Sequence, residues 1–324
     1  MQFLEENRGS FVSGQDIANE TYLTRAAVWK AINALRTQGY DIEAVTNRGY
    51  RLAGLVDELD ADIIRAALDS MSFEGRLVCL DSVDSTNSYC EKWAVETMEE
   101  LVVLAEEQTA GRGRRGRNFY SPKGSGLYMS LLLKPDKTDI STSGITAVAA
   151  VAVADAIDET VYAGTDTSRI KWVNDIFVDD KKVCGILCEA HFSLEDEADD
   201  HLIIGIGINV YEPMNMPAEI SHIAGGLLKA CGPENTGLRS RLACKILENL
   251  FTYLKADRQK ILKTYRDKSM LMGNFVRIDD YGSKRAASRY AKAVGIDDNF
   301  HLLVEYENGS TDELSSGEVS VVRY

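Results

Sequence analysis

Between residues 25 and 37, apolar side chains recur at Val28, Ala31, Ile32 and Leu35, the spacing of one face of a helix, while Arg25, Trp29, Lys30 and Asn33 fall off that stripe. Thr24 is placed to cap this helix, which the pattern carries to Gly39. Just upstream, Ser13 followed by Asp16 reads as a capping box opening a shorter helix over Ser13–Glu20. Downstream, Asp41–Val45 and Tyr50–Leu52 flank Thr46-Asn47-Arg48-Gly49, a turn whose Asn and Gly suit positive φ. Helix, turn, helix and hairpin together predict a winged helix-turn-helix over residues 1–54, with the four off-stripe residues facing a groove. A packing or dimerisation element would show the same periodicity.

An acidic segment, Val56–Asp62, starts a linker or short helix, and the pattern then changes. Short β-rich runs at Leu77–Leu80, Leu101–Ala105, Leu127–Leu133, Arg169–Trp172, Asp175–Val178, Val183–Glu189 and Leu202–Val210 alternate with helical stretches near 85–96 and 143–160. A longer helix over about Leu238–Leu262 closes this region, and Gly273 marks its end. From Asn274 onward only short strands follow, Phe275–Ile278, Ala291–Val294, Leu302–Tyr306 and Val319–Val322, separated by Gly- and Asp-rich turns. The expectation is an α+β protein with a central mixed β-sheet and packed helices over 62–272, and a small β-barrel over 273–324.

Composition narrows the function classes. Hydrophobic residues at 45% and charged ones at 27% are those of an ordinary globular chain, and the formal net charge is -14. The six basic residues of the first 54 (Arg8, Arg25, Lys30, Arg36, Arg48, Arg51) balance six acidic ones (Glu5, Glu6, Asp16, Glu20, Asp41, Glu43), so the negative charge lies elsewhere. Indiscriminate binding to nucleic acid or to an anionic membrane is disfavoured, and any DNA contact must be local. No basic leader with an apolar core opens the chain, and no run approaches the ~20 apolar residues of a membrane span, which sets a cytoplasmic expectation. The six cysteines and four histidines do not cluster at metal-ligand spacings, so reduced, mostly buried thiols and no structural metal are expected.

Against that acidity, Gly111-Arg112-Gly113-Arg114-Arg115-Gly116-Arg117 is an anomaly. Guanidinium forks match phosphate, and glycine permits close approach, so the run fits a loop that orders over a phosphate-bearing ligand; a solvated basic loop or a nucleic-acid patch remains open. Asp84-Ser85-Thr86-Asn87 is either a helix N-cap or a neutral polar pocket beside free helix N–H groups. Lys171-Trp172-Val173-Asn174-Asp175 is either a polar turn with a core Trp or a site for phosphate oxygens with magnesium or a ribose. Lys182 precedes an apolar strand, and Gly205-Ile206-Gly207-Ile208-Asn209 offers close backbone approach to a flat ligand without being a dinucleotide fingerprint.

Taken in order, Asp84–Asn87, Glu107-Gln108 with Gly111–Arg117, Lys171–Asp175, Lys182 with Gly185-Ile186-Leu187, and Gly205–Asn209 resemble the biotin protein ligases. With a winged helix ahead and a small barrel behind, the resemblance to the bifunctional ligase/repressor type spans nearly the whole chain. It implies a class II synthetase-like central domain, an SH3-like barrel, and a two-step activity using ATP and magnesium. Biotin would go first to biotinyl-5'-AMP, then to a lysine of the biotin carboxyl carrier protein of acetyl-CoA carboxylase. By resemblance, Ser85, Thr86, Asn87, Gln108, Arg112, Gly113 and Arg114 bind biotin, and Lys182 meets its carboxylate and the developing acyl phosphate. Arg117, Lys171, Asn174, Asp175, Gly205, Gly207 and Asn209 serve the nucleotide, and Lys182, Arg114, Lys171 and Asp175 carry catalysis. Operator DNA would meet Gly14, Thr24, Arg25, Trp29, Lys30, Asn33 and Arg48, and the adenylate would promote a homodimer. Three positions depart from the family pattern. Position 173 is Val where Pro is usual; Met1–Glu5 leaves the first helix short; and Gly317-Glu318 with Arg323 fits the family's C-terminal end only after a one-residue shift. A ligand-sensing repressor without catalysis, and a ligase for lipoate or another carboxylate, are the competing readings.

Overall fold

The structure is a computed structural model describing residues 3–4, 7, 9–37, 42–52, 57–97, 99–134, 142–191, 200–213, 216–279 and 288–322. It divides into two compact units, residues 1–57 with 228–236, and residues 58–227 with 237–324.

In the first unit, α1 (Gly14–Glu20) starts where the Ser13 hydroxyl accepts the Asp16 N–H and donates to the Asp16 carboxylate. Helix α2 (Arg25–Thr37) is opened by Thr24, whose hydroxyl accepts the Ala27 N–H at 3.2 Å. Val28 and Ile32 are buried against Leu4, Ile17, Ala18, Ile42 and Leu52, with Leu35 packed beside them. Ala31, expected in that stripe, is exposed, because it sits at the stripe's edge and its methyl is too short to reach so small a core. Strands β1 (Ile42–Val45) and β2 (Gly49–Leu52) pair antiparallel across a turn in which Asn47 and Gly49 both take positive φ, as their residue types suggest. Gly49 has a second reason to be glycine. Val12 exchanges two backbone hydrogen bonds with Tyr50, so a Cβ at 49 would lie 2.1 Å from the Val12 carbonyl oxygen. Gly39 and Asp41, named above as a helix end and a strand start, lie outside the described residues.

The second unit is built on a seven-stranded sheet of β3 (Arg76–Leu80), β4 (Leu101–Ala105), β5 (Gly126–Leu133), β6 (Arg169–Lys171), β7 (Asp175–Val178), β8 (Lys181–His191) and β9 (His201–Asn209), in the order β3-β4-β5-β9-β8-β7-β6. Only β3 and β4 run parallel, so the sheet is mixed. The interior strand β5 is buried throughout. Helix α3 (Ala61–Ser70), capped by Asp60, precedes the sheet, and α4 (Thr86–Thr97) packs Cys90 and Ala94 onto Leu101, Val103, Leu132 and Ile203. Helix α5 (Thr142–Val161) packs on β8 and on α6 (Leu238–Tyr253). The expected single helix to Leu262 is instead two. Helix α7 (Arg258–Lys268) restarts at Asp257, whose side chain accepts the Gln259 N–H, and a turn at Leu254-Lys255-Ala256 separates the pair.

The C-terminal strands β10 (Phe275–Asp279), β11 (Arg289–Ile296), β12 (Leu302–Glu305), β13 (Thr311–Leu314) and β14 (Glu318–Val321) form an antiparallel five-stranded sheet in the order β13-β12-β11-β10-β14. Strand β13 has no counterpart in the pattern analysis, because Thr-Asp-Glu-Leu carries one apolar residue in four. The sheet is fixed to the turn before β7: the Trp172 indole donates to Phe300 O at 2.8 Å, and the Tyr265 hydroxyl donates to Val173 O at 3.1 Å while its ring meets Phe300 edge-on.

Candidate functional site

Adjacent strands β8 and β9 bring glycines together, with Gly185 opposite Gly207 and Leu187 opposite Gly205. The space above them is taken. A Cβ at 205 would lie 2.0 Å from Asn87 Oδ1, and one at 207 would lie 2.7 Å from the Phe119 ring. Close approach of side chains from α4 and from the loop before β5 therefore demands glycine at both positions.

Ser85, Thr86 and Asn87 at the start of α4 are all buried. Ser85 Oγ lies 3.5 Å from the Ser88 N–H, the position of a helix cap. Asp84 accepts the Ser85 N–H at 2.8 Å, and this bond, with Lys92 alongside and some opposing burial, holds its carboxyl below the usual range. Beyond the cap, the Gln108 amide oxygen accepts both the Thr86 N–H at 2.9 Å and the Thr86 hydroxyl at 3.1 Å. Gln108 in turn donates to Ser121 Oγ at 2.9 Å. From β5, Ser130 Oγ reaches Thr86 Oγ1 at 2.7 Å and Asn87 Oδ1 at 2.6 Å. The result is a buried chain of uncharged hydroxyls and amides, oriented before any ligand arrives.

The arginine-glycine run closes on itself above this chain. Gly113 N–H donates to Arg117 O at 2.7 Å, Phe119 N–H donates to Gly111 O at 2.8 Å, and Arg115 and Gly116 turn the tip with positive φ. Its arginines are not equivalent. Arg112 donates to Glu189 and lies 3.5 Å from Glu91. Arg114 donates to Asn174 Oδ1 at 3.0 Å, and Arg115 and Arg117 are exposed.

Asn174 is held from a second side by donating to Ile186 O at 2.9 Å. In the same turn Trp172 is buried as a core residue, and the Trp172–Val173 peptide is cis. Asp175 pairs with Lys182 at 2.6 Å, and the Lys171 amine sits 5.9 Å from the Phe177 ring. Asn209 donates to Gly225 O at 3.1 Å, which gives it a structural task at the edge of the site.

Most of these side chains border one cavity of about 330 Å³, while Ser121, Ser130 and Glu189 support its wall from behind through their hydrogen bonds. Every residue named above for biotin or nucleotide lies on its wall: Ser85, Thr86 and Asn87 from the start of α4, Gln108, the loop residues Arg112, Gly113, Arg114 and Arg117, the turn residues Lys171, Asn174 and Asp175, and Lys182, Gly205, Gly207 and Asn209 from β8 and β9. The wall also includes Phe119, the apolar trio Met216, Ile220 and Ile223, and Val319 and Ser320 from the C-terminal sheet, none of which carried a motif, together with Gly317 of the Gly317-Glu318 pair. Ser130 was also missed, although a lone serine inside the run Leu127–Leu133 is a visible anomaly. Arg323 lies outside the described residues.

In the N-terminal unit, Arg25, Trp29 and Lys30 share the exposed side of α2, and Trp29 retains 57% of its surface. Asn33 is half-buried, Thr24 is exposed at the helix start, and Gly14 opens α1. Arg48 stacks on Phe11 with its guanidinium 4.4 Å from the ring centre. All six cysteines are free, with Cys90, Cys184 and Cys231 buried. Burial pushes the Cys188 thiol up to about 12. Among the described residues, one group of side chains has converging metal-ligand atoms, Asp297, His301 and Glu313, and none of them borders the cavity. No helix among the described residues is long and apolar enough to cross a membrane.

Residues 79–209 match the model of the biotin/lipoate A/B protein ligase family, and residues 1–51 match a helix-turn-helix domain. The chain is 34% identical to the bifunctional ligase/repressor BirA of Bacillus subtilis over 313 residues, covering 95% of this chain and 94% of that protein. It is 30% identical to the Escherichia coli protein of the same description, covering 97% and 94% respectively. Among solved structures, the biotin protein ligase of Aquifex aeolicus in complex with biotin and ATP is similar at 30% identity and a TM-score of 0.59, over 77% of this chain and 99% of that one.

Proposed function

The chain belongs to the biotin/lipoate A/B protein ligase family, and we propose from that premise that it is a biotin–protein ligase that also represses transcription. It activates biotin with ATP to biotinyl-5'-AMP and transfers the biotinyl group to a lysine of the biotin carboxyl carrier protein of acetyl-CoA carboxylase. The observation carrying this reading is the convergence, in one cavity, of an uncharged hydrogen-bonding chain with a set of fixed cations.

The neutral chain suits a ureido ring, which needs both donors and acceptors and carries no charge. The cations suit the activation step. A biotin carboxylate oxygen attacks the α-phosphorus of ATP and pyrophosphate departs with the bonding electrons, so two anions must meet. Lys182, Arg114 and Lys171 offset that repulsion and stabilise charge on the α-phosphoryl oxygens. Asp175 holds Lys182 in place, and Asn174 does the same for Arg114. The oxygen donors of Asp175 and Asn174 fit a magnesium ion held mainly by phosphates and water, which would supply further neutralisation of the triphosphate. In the second step an acceptor lysine amine attacks the acyl carbon, AMP leaves with the electron pair, and the nitrogen loses a proton. The loop Gly111–Arg117 shields the acyl phosphate from water between the steps.

We assign residues 1–54 to a winged helix-turn-helix meeting operator DNA through α2 and Arg48. Residues 62–272 form the ligase domain of class II synthetase type, and residues 273–324 an SH3-like barrel. Adenylate-bound protein forms a homodimer in the cytoplasm that sets two such modules on a palindromic operator. Incubation of the full chain with biotin, magnesium-ATP and a carrier domain, read by intact mass, tests the ligase reading, and one biotinyl adduct per carrier is expected. Binding of biotin without pyrophosphate exchange would replace it with a ligand-sensing repressor. A lipoyl adduct formed in preference to the biotinyl one would replace the substrate. Sedimentation with and without adenylate tests the dimer, and an unchanged mass would remove it.

A further inference from the structure

We propose that Glu189 is a positioning residue that fastens the lid to the floor of the ligand site, making the two one hydrogen-bonded unit. Its carboxylate uses both oxygens. Oε2 accepts the Asn87 amide at 2.9 Å, and Oε1 accepts the Arg112 guanidinium at 2.5 Å.

The geometry on either side explains why a carboxylate is required. Asn87 Oδ1 receives the Ser130 hydroxyl, which turns the amide nitrogen toward β8, where Leu187 O at 3.3 Å and Glu189 are its acceptors. Arg112 is the first arginine of the loop and lies against α4, with Glu91 at 3.5 Å and Ser88 Oγ at 3.4 Å. Its guanidinium, at the cavity wall, is thus engaged by protein carboxylates, whereas Arg114 of the same loop is held by the neutral Asn174. Glu189 itself stands on β8 opposite Ile203 of β9, so its backbone is held in the sheet through that strand. Glutamine would present one acceptor oxygen to two donors, and aspartate is one methylene too short to span them. The far stem of the loop has its own tether, since Ser121 donates to Phe119 O and receives Gln108. With Glu189 at the near stem, both ends of the loop are tied to the residues that face the ligand.

The activity arm of this inference rests on the ligase reading; the structural arm does not. Hydrogen exchange of the amides of residues 111–118 is measured by mass spectrometry on the ligand-free full chain, in wild type, Glu189→Gln, Arg112→Gln and the double variant. Each single change should speed exchange about tenfold, and the double variant should match either single one, because they break the same link. Additive effects, or a loop indifferent to both, would overturn the proposal. Unchanged exchange in β4 and β5 distinguishes a loosened loop from a failed fold, and failure of Glu189→Gln to fold would also count against a positioning role. In parallel, biotinyl-adenylate dissociation should quicken by about tenfold in Glu189→Gln and no further in the double variant. Wild type that forms no adenylate would refute the ligase reading and leave the exchange result standing.

Discussion

The exposed side of α2 and the wall of the cavity both carry cations, but they hold them differently. Arg25 and Lys30 project into solvent from a helix whose other side fills a small core. In the cavity, Arg112, Arg114 and Lys182 each have a fixed partner in Glu189, Asn174 and Asp175. A polyanion such as DNA is met over several ångströms and through screened charge, which long side chains serve well without fixed positions. Transfer at a single phosphorus tolerates little misplacement, so its cations are oriented beforehand. Substitutions should therefore act steeply in one region and gradually in the other.

The largest effect is expected for Lys182→Ala, which removes the cation proposed to meet the biotin carboxylate and should lower biotin-dependent pyrophosphate exchange by about 10²–10³. An effect under tenfold would mean that the cavity's cations are as interchangeable as those of α2. Gly205→Ala comes next. Its methyl falls 2.0 Å from Asn87 Oδ1, and calorimetry should show biotin affinity weakened by about a hundredfold as the amide is displaced. Arg114→Ala should leave the fold intact and speed adenylate release about tenfold in a filter assay. Lys30→Ala should weaken operator binding and reduce the salt dependence by about one phosphate contact, with carrier biotinylation retained. A loss of biotinylation there would erase the distinction between the regions.

The smallest effect concerns acid stability where the C-terminal sheet faces the lid. Burial pushes Asp279 up, but hydrogen bonds from Ser288 and Arg277 and the charges of Arg277 and Arg117 outweigh it and hold the carboxyl low. A depressed folded pKa contributes stability above the unfolded carboxylate range, and that contribution is lost as pH falls through the folded value. Asp279→Asn should accordingly melt slightly lower than wild type at neutral pH, with the difference shrinking once pH falls below the ordinary carboxylate range of about 4. A gap that persists in acid would assign the effect to lost packing.

The two regions also differed in how far they could be read beforehand. Caps, turn and stripe in the N-terminal unit are local signals, so Ser13, Thr24 and Asn47 announce themselves, and Ala31 misleads only because the core is smaller than a helical period implies. The cavity was legible where its residues form short contiguous runs, at 84–87, 111–117 and 171–175. It was opaque where strand register does the work. Ser130 faces Gly205 across β5 and β9, and Glu189 reaches Asn87 over 102 residues of chain, so neither has a neighbour in sequence that hints at its partner. The break at 254–256 and the polar strand β13 escaped for a related reason: a helix cap late in an amphipathic run, and a strand held by its neighbours' hydrogen bonds, leave little trace in hydropathy.

Phe119 sets the terms for anyone wishing to change what the cavity accepts. Its ring already presses on Gly207 and stands 3.4 Å from where a Cβ of Gly185 would be. Side chains cannot be added at Gly205 or Gly207 to reshape the site, whereas a Cβ at Gly185 would meet only ordinary contact. Room for a bulkier or tagged acid would come from trimming the ring of Phe119, which joins the hydrogen-bonded chain only through its backbone, so that shortening it to Leu or Ala opens the cavity while the polar side-chain contacts stay in place.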